Sequence, residues 1–178
     1  MSRLARVPIS LGNVQCKVDG STVVLTMGSK NVQYNVPEGI NVSVDSDGLH
    51  CKLVDPSSRD KFLKSLLGTT FRNLSNAVTG LVSGFTKKLT LVGVGYKVAQ
   101  QGNKLTFMLG KSHNDIFEVP AGIDVACPDQ TTIIVSGIDK QLVGHVCAKM
   151  IELRVPDAYK GKGVRDASKS YALKEVKK

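Results

Sequence analysis

The stretch Val36-Pro37-Glu38-Gly39-Ile40-Asn41-Val42 returns, 83 residues later, as Val119-Pro120-Ala121-Gly122-Ile123-Asp124-Val125. Other landmarks around it recur in the same order. Gly20 and Gly28 bracket the strand-like Thr22-Val23-Val24-Leu25-Thr26, and 82 residues on, Gly102 and Gly110 bracket Lys104-Leu105-Thr106-Phe107-Met108. Asp60-Lys61 opens a helical pattern, as does Asp139-Lys140 after a further 79 residues. Three landmarks repeated at nearly one spacing mark a repeated structural unit. The reading is a tandem duplication, with an N-terminal domain over 1–82 and a C-terminal domain over 83–178.

Each copy carries the same signals. Short β-rich runs, such as 32–36, 40–44 and 49–54, end at Gly, Pro, Asn or Asp turns. One amphipathic helix follows. In the first copy Ser57-Ser58-Arg59-Asp60 fits the Ser/Thr-x-x-Asp/Glu start signal. Phe62, Leu63, Leu66, Leu67, Leu74, Val78 and Leu81 then form a stripe at spacings of three and four. In the second copy Asp139 is the expected N-cap, and Leu142, Val143, Val146, Cys147, Met150 and Leu153 form the stripe. Pro156 stops the helix from continuing, because it lacks an N–H and clashes with the preceding turn. The fold class is α+β: two tandem duplicated domains, each a mostly antiparallel β-sheet packed against one α-helix, with a basic C-terminal extension over about 154–178.

Charge points to the kind of partner. The 178 residues hold 24 Lys+Arg against 15 Asp+Glu, a net +9. Residues 1–81 contribute +3 and residues 82–178 contribute +6. Residues 154–178 alone hold eight bases against three acids, or +5. Such an excess favours polyanions, since each contacted phosphate releases condensed counterions. The aromatic fraction is 5%, with no Trp, and no RNA-recognition-motif segment is present, so readout by base stacking is not expected. Folded RNA, recognised through its backbone and shape, suits this composition.

No catalytic constellation emerges. His50, His113 and His145 are far apart, and His145 stands two residues from Cys147, which puts the pair on different helix faces. Gly110-Lys111-Ser112 supplies half of a phosphate loop, but the required first glycine is Leu105. Gly93-Val94-Gly95 begins a dinucleotide fingerprint whose third glycine is Val98, and it reads better as a strand relieved by glycines. The four cysteines form no Cys-x-x-Cys pair and lie in apolar patterns, as buried thiols of a reducing compartment do. No apolar run reaches bilayer length, and residues 1–8 contain no signal-peptide core. The expectation is a cytosolic protein with no enzymatic activity, no cofactor, no metal, no membrane association and no small-molecule substrate.

The segment that should carry the contact is Pro156-Asp157-Ala158-Tyr159-Lys160-Gly161-Lys162-Gly163-Val164-Arg165. In an extended backbone Lys160 and Lys162 point to one side. Gly161 and Gly163 let the main chain approach phosphates, Tyr159 can lie on a ribose, and Arg165 adds a fork for phosphate or a guanine edge. A solvated basic tail is the plain alternative.

Residues 156–164 resemble the signature of a known family, large ribosomal subunit protein six of bacterial type. Leu91-Val92-Gly93-Val94-Gly95-Tyr96-Lys97, Gly137-Ile138-Asp139-Lys140-Gln141-Leu142-Val143-Gly144 and Gly68-Thr69-Thr70 resemble its other recurrent segments. The resemblance implies two duplicated α+β domains and binding to large-subunit rRNA, mainly through the C-terminal domain. It implies a place in the cytoplasmic ribosome beside the sarcin–ricin loop and the stalk base, with neighbouring ribosomal proteins and docking translational GTPases close by. The RNA-binding residues it implies are Tyr159, Lys160, Gly161, Lys162, Gly163 and Arg165, joined by Gly93, Gly95, Tyr96 and Lys97. The chain departs from the family pattern at Ala158 and Asn114, where prolines are usual, at Val7, and at Phe71-Arg72, where the family's arginine comes one place earlier. A free-standing RNA-binding or chaperone protein is the alternative reading.

Overall fold

A computed structural model describes residues 7–55 and 60–175. The start signal at Ser57, Ser58 and Arg59, the N-terminal residues 1–6 and the lysines at 177 and 178 lie outside the described residues. The chain divides into two compact units, Met1–Ser83 and Gly84–Lys178.

The first unit contains β1 (Gln15–Asp19), β2 (Thr22–Met27), β3 (Lys30–Asn35), β4 (Ile40–Asp45), β5 (Gly48–Leu53) and α1 (Lys61–Val82). Its strands divide into two sheets, β1-β2-β3 and β4-β5, with every pairing antiparallel. Asp60 caps α1, its carboxylate accepting the N–H of Phe62 at 2.8 Å. Leu67, Leu74, Val78 and Leu81 of the expected stripe are buried, together with Thr70 and Phe71. Phe62, 68% exposed, falls outside the stripe, which starts with the half-buried Leu63 and Leu66 and is buried from Leu67. The helix packs on β2, β3 and β5, where Val23, Leu25, Leu49, Cys51 and Leu53 face it from alternate strand positions.

The second unit contains β6 (Phe85–Val92), β7 (Lys97–Gln101), β8 (Lys104–Met108), β9 (Asp115–Glu118), β10 (Ile123–Asp129), β11 (Thr132–Gly137), α2 (Lys140–Leu153) and β12 (Gly163–Asp166). Its sheets run β7-β8-β9 and β10-β11-β6-β12. Asp139 caps α2 by accepting the N–H of Gln141 at 2.8 Å. Val143, Val146, Cys147 and Met150 pack with Leu89, Ile133, Val135, Phe107 and Val164 in one core. Pro128 falls where the β10–β11 register shifts, on an edge strand, the place in a sheet that tolerates a residue without an N–H.

The duplication extends to single bonds. Gly20 and Gly102 open their hairpin turns at φ +58, and Gly39 and Gly122 follow the two prolines at +85 and +84. Val36 donates to the Ser21 carbonyl at 2.7 Å, and Val119 to the Asn103 carbonyl at 2.9 Å. The copies differ at one edge. In the second unit Leu89 of β6 pairs with Ile133 as part of an eight-residue strand. In the first, Ile9 and Leu49 form an isolated bridge at the matching place.

The segment after α2 differs from its sequence reading. In place of a plain basic extension, Gly163–Asp166 forms a strand, β12, paired antiparallel with β6. Val164 is fully buried, so its side chain holds the extension to the core.

Candidate nucleic-acid interface

Helix α2 ends at Leu153, and Arg154 caps it in an extended conformation. From there the chain makes a closed loop. The Val164 N–H donates to the Arg154 carbonyl at 2.9 Å, and the Asp157 N–H donates to the Lys162 carbonyl at 2.9 Å. Inside these rungs the Asp157 carboxylate accepts the N–H groups of Lys160 at 2.8 Å and Tyr159 at 3.2 Å. The hydrogen bond from Lys160, joined by those of Tyr159 and Ala158, holds the Asp157 carboxyl below its ordinary value. An ionised aspartate thus sets the shape of the most basic part of the chain.

The loop walls a cleft of about 510 Å³ lined by Tyr96, Leu153, Arg154, Val155, Asp157, Lys160 and Lys162. Lys160 and Lys162 therefore share a site, through a turn rather than an extended strand. Arg154, which no motif singled out, is exposed and joins them. Its sequence signal was its membership of the basic run from 154 onward. Tyr159 stands beside the lysines and is 52% exposed.

The other expected residues have different surroundings. Gly161 and Gly163 are both buried. A Cβ on Gly163, at φ +149, would stand 2.7 Å from the Arg154 carbonyl oxygen and 2.8 Å from Pro156 Cα. The close approach this glycine permits is to the unit's own backbone. Arg165 Nε donates to the Gly161 carbonyl at 2.6 Å, and its guanidinium lies 5.4 Å from the centre of the Tyr171 ring. Tyr96 is mostly buried, with Gly93 and Gly110 against its ring, and only part of it reaches the cleft. Gly95 and Lys97 are exposed on either side of it and do not line the cleft.

The residues after β12 are tied back. Asp166 is 3% exposed, and its carboxylate accepts the N–H of Ser168 at 3.0 Å and the Ser168 hydroxyl at 2.7 Å, with Lys87 Nζ at 3.5 Å. Burial pushes this carboxyl upward, but the Ser168 hydrogen bonds and the Lys87 charge outweigh it, and the net shift is down. The Lys174 N–H donates to the Ala158 carbonyl at 2.9 Å.

All four cysteines are free. Cys51 and Cys147 are buried, and burial pushes the Cys51 thiol up to about 11, whereas Cys16 and Cys127 are only half-buried. Among the described residues no three His, Cys, Asp or Glu side chains gather where a metal ion could sit. Among the same residues, no helix is long and apolar enough to cross a membrane.

Two copies of one α+β unit, the second closed by an added edge strand and carrying a cationic cleft, define the class: a duplicated two-domain α+β protein. The family model described as Ribosomal protein L6 matches residues 92–167, which run from the end of β6 through β12. Over the whole of this chain and 99% of the relative, the sequence is 42% identical to the large ribosomal subunit protein uL6 of Alcanivorax borkumensis. The uL6 proteins of Stenotrophomonas maltophilia and Bradyrhizobium sp. are 41% and 39% identical, with the same coverage. The chain belongs to the ribosomal protein L6 family. It is a structural ribosomal protein and not an enzyme, and its place is in the ribosome of the cytoplasm.

Proposed function

We propose that this protein binds the rRNA of the large subunit mainly through its second unit, seating the Arg154–Lys160–Lys162 cleft on the phosphate backbone. The observation that carries this reading is the concentration of positive charge on a loop whose shape the protein fixes in advance. Residues 154–178 hold +5 of the total +9, and two main-chain rungs and the Asp157 carboxylate fold the start of that run into one cleft. A shaped cationic groove with one accessible tyrosine suits the backbone of folded RNA, where phosphate contacts fix position and orientation. Tyr159 and the exposed Lys97 add contacts at its margins. The family resemblance supports a site beside the sarcin–ricin loop and the stalk base, next to neighbouring ribosomal proteins and the translational GTPases that dock there.

Photo-cross-linking in assembled large subunits tests the assignment. RNA adducts are expected on Tyr159, Lys160 and Lys162, and the same nucleotides should be footprinted by the protein. Adducts confined to residues 1–83 would overturn it.

A further inference from the structure

We infer that Arg165 is a positioning residue: its guanidinium serves the protein rather than the RNA, and together with Tyr171 it holds the 157–162 loop in the shape that brings Lys160 and Lys162 to one cleft. This rests on the RNA-binding reading above and names the device behind it. An arginine that reads a phosphate side-on, through Nε and one Nη together, needs that edge free. In Arg165 the Nε–H is given to the Gly161 carbonyl at 2.6 Å, and the guanidinium lies against the Tyr171 ring. Gly161 makes room for it. At φ +66 and without a side chain, Gly161 leaves a space that a Cβ would take from the Arg165 guanidinium.

The tyrosine is itself anchored. Its hydroxyl accepts the Asp166 N–H at 2.9 Å, which joins it to β12. Beyond it, Leu173 Cδ2 lies 3.0 Å from the same Cβ position at Gly161, and the Lys174 N–H holds the Ala158 carbonyl. Residues 171–174 thus form a brace behind the loop, with Arg165 between brace and loop. A loop ordered beforehand loses less conformational freedom on binding than one the RNA must order.

The test compares the full chain with Arg165→Met, Tyr171→Leu and the double variant. Amide exchange in the free proteins is read first. Both single variants should speed exchange at Asp157, Lys160 and Lys174 by roughly tenfold, as expected for local opening of a surface segment. Affinity for a large-subunit rRNA fragment is then measured across salt. Each single variant should bind roughly three- to tenfold more weakly, and the double variant no worse than about twofold beyond the weaker single, because the two residues act as one unit. The log–log salt slope of Arg165→Met should stay at the parent value. A slope smaller by about one, with Tyr171→Leu binding like the parent, would make Arg165 a phosphate contact and overturn the inference. Unchanged exchange in both single variants would overturn it as well. If the parent fails to bind the RNA, the binding reading falls, and the exchange data alone decide whether the brace exists.

Discussion

The Asp157 carboxylate accepts the main-chain N–H of Lys160 at 2.8 Å. An acid that lines the cleft with the two lysines is therefore part of the turn that presents them. Net charge and loop geometry give opposite expectations for its removal. Asp157→Ala adds one unit of positive charge, which by charge alone should tighten binding to RNA. Geometry says that the turn loosens and the lysines disperse. The expected outcome is weaker binding to large-subunit rRNA at every salt concentration, measured by titration; tighter binding would show that only charge matters.

The same contact sets a pH dependence. A carboxyl held below its ordinary value contributes fully above the free-aspartate value of about 3.9 and loses that contribution as pH falls through its lowered folded value. The loop should be constant between about pH 5 and 8. The Lys160 amide resonance should move only below about pH 4, in an NMR titration that reads this turn directly.

Replacing Lys160 and Lys162 together with Ala should weaken rRNA binding and reduce the log–log salt slope by roughly 1–2, by analogy with the duplex rule of about 0.9 per phosphate. Thermal stability of the free protein should hardly change, since both side chains are exposed. An unchanged slope would mean that neither lysine meets a phosphate.

Two glycines of the second unit should respond in opposite directions to alanine. At Gly163 the added Cβ meets main-chain atoms of Arg154 and Pro156, which cannot swing away, at a φ that L-residues rarely adopt. Gly163→Ala should destabilise the unit by about 2–4 kcal/mol and release β12 from β6. Gly144, inside α2, has no atom of the other described residues within 4 Å of its Cβ position, the helix's own nearby backbone aside. Gly144→Ala should stabilise the unit by about 0.5–1 kcal/mol. Chemical denaturation of the two variants checks both signs.

Thr70 is fully buried in α1, and its hydroxyl has no hydrogen-bond partner among the described residues. Valine has nearly the same shape and removes the unmatched polar group. Thr70→Val should stabilise the first unit by about 1 kcal/mol and raise its Tm by a few degrees.

The duplicated architecture was legible because its signals are local. A proline followed two residues later by a glycine, glycines at hairpin turns and an aspartate before each apolar stripe each act within a few residues of themselves. Strand β12 was not legible. Gly163–Asp166 has two glycines near it and one core side chain, Val164, and its partner β6 lies far upstream. The role of Arg165 was hidden for a related reason. A guanidinium that serves an internal carbonyl reads the same in sequence as one that serves a phosphate, and only the folded loop tells them apart. Tyr96 reaches the cleft from the turn between β6 and β7, which no spacing rule connects to Lys160 and Lys162.

The strand order β10-β11-β6-β12 has a consequence for how the chain is made. Synthesis runs from the N-terminus, so β6 emerges early in the second unit and β12 comes last among that unit's described strands. Until then β6 offers an open row of N–H and C=O groups, the kind of border that recruits stray strands from other chains. The nascent protein is most vulnerable to mispairing in that interval, and the cationic loop takes shape only as it ends.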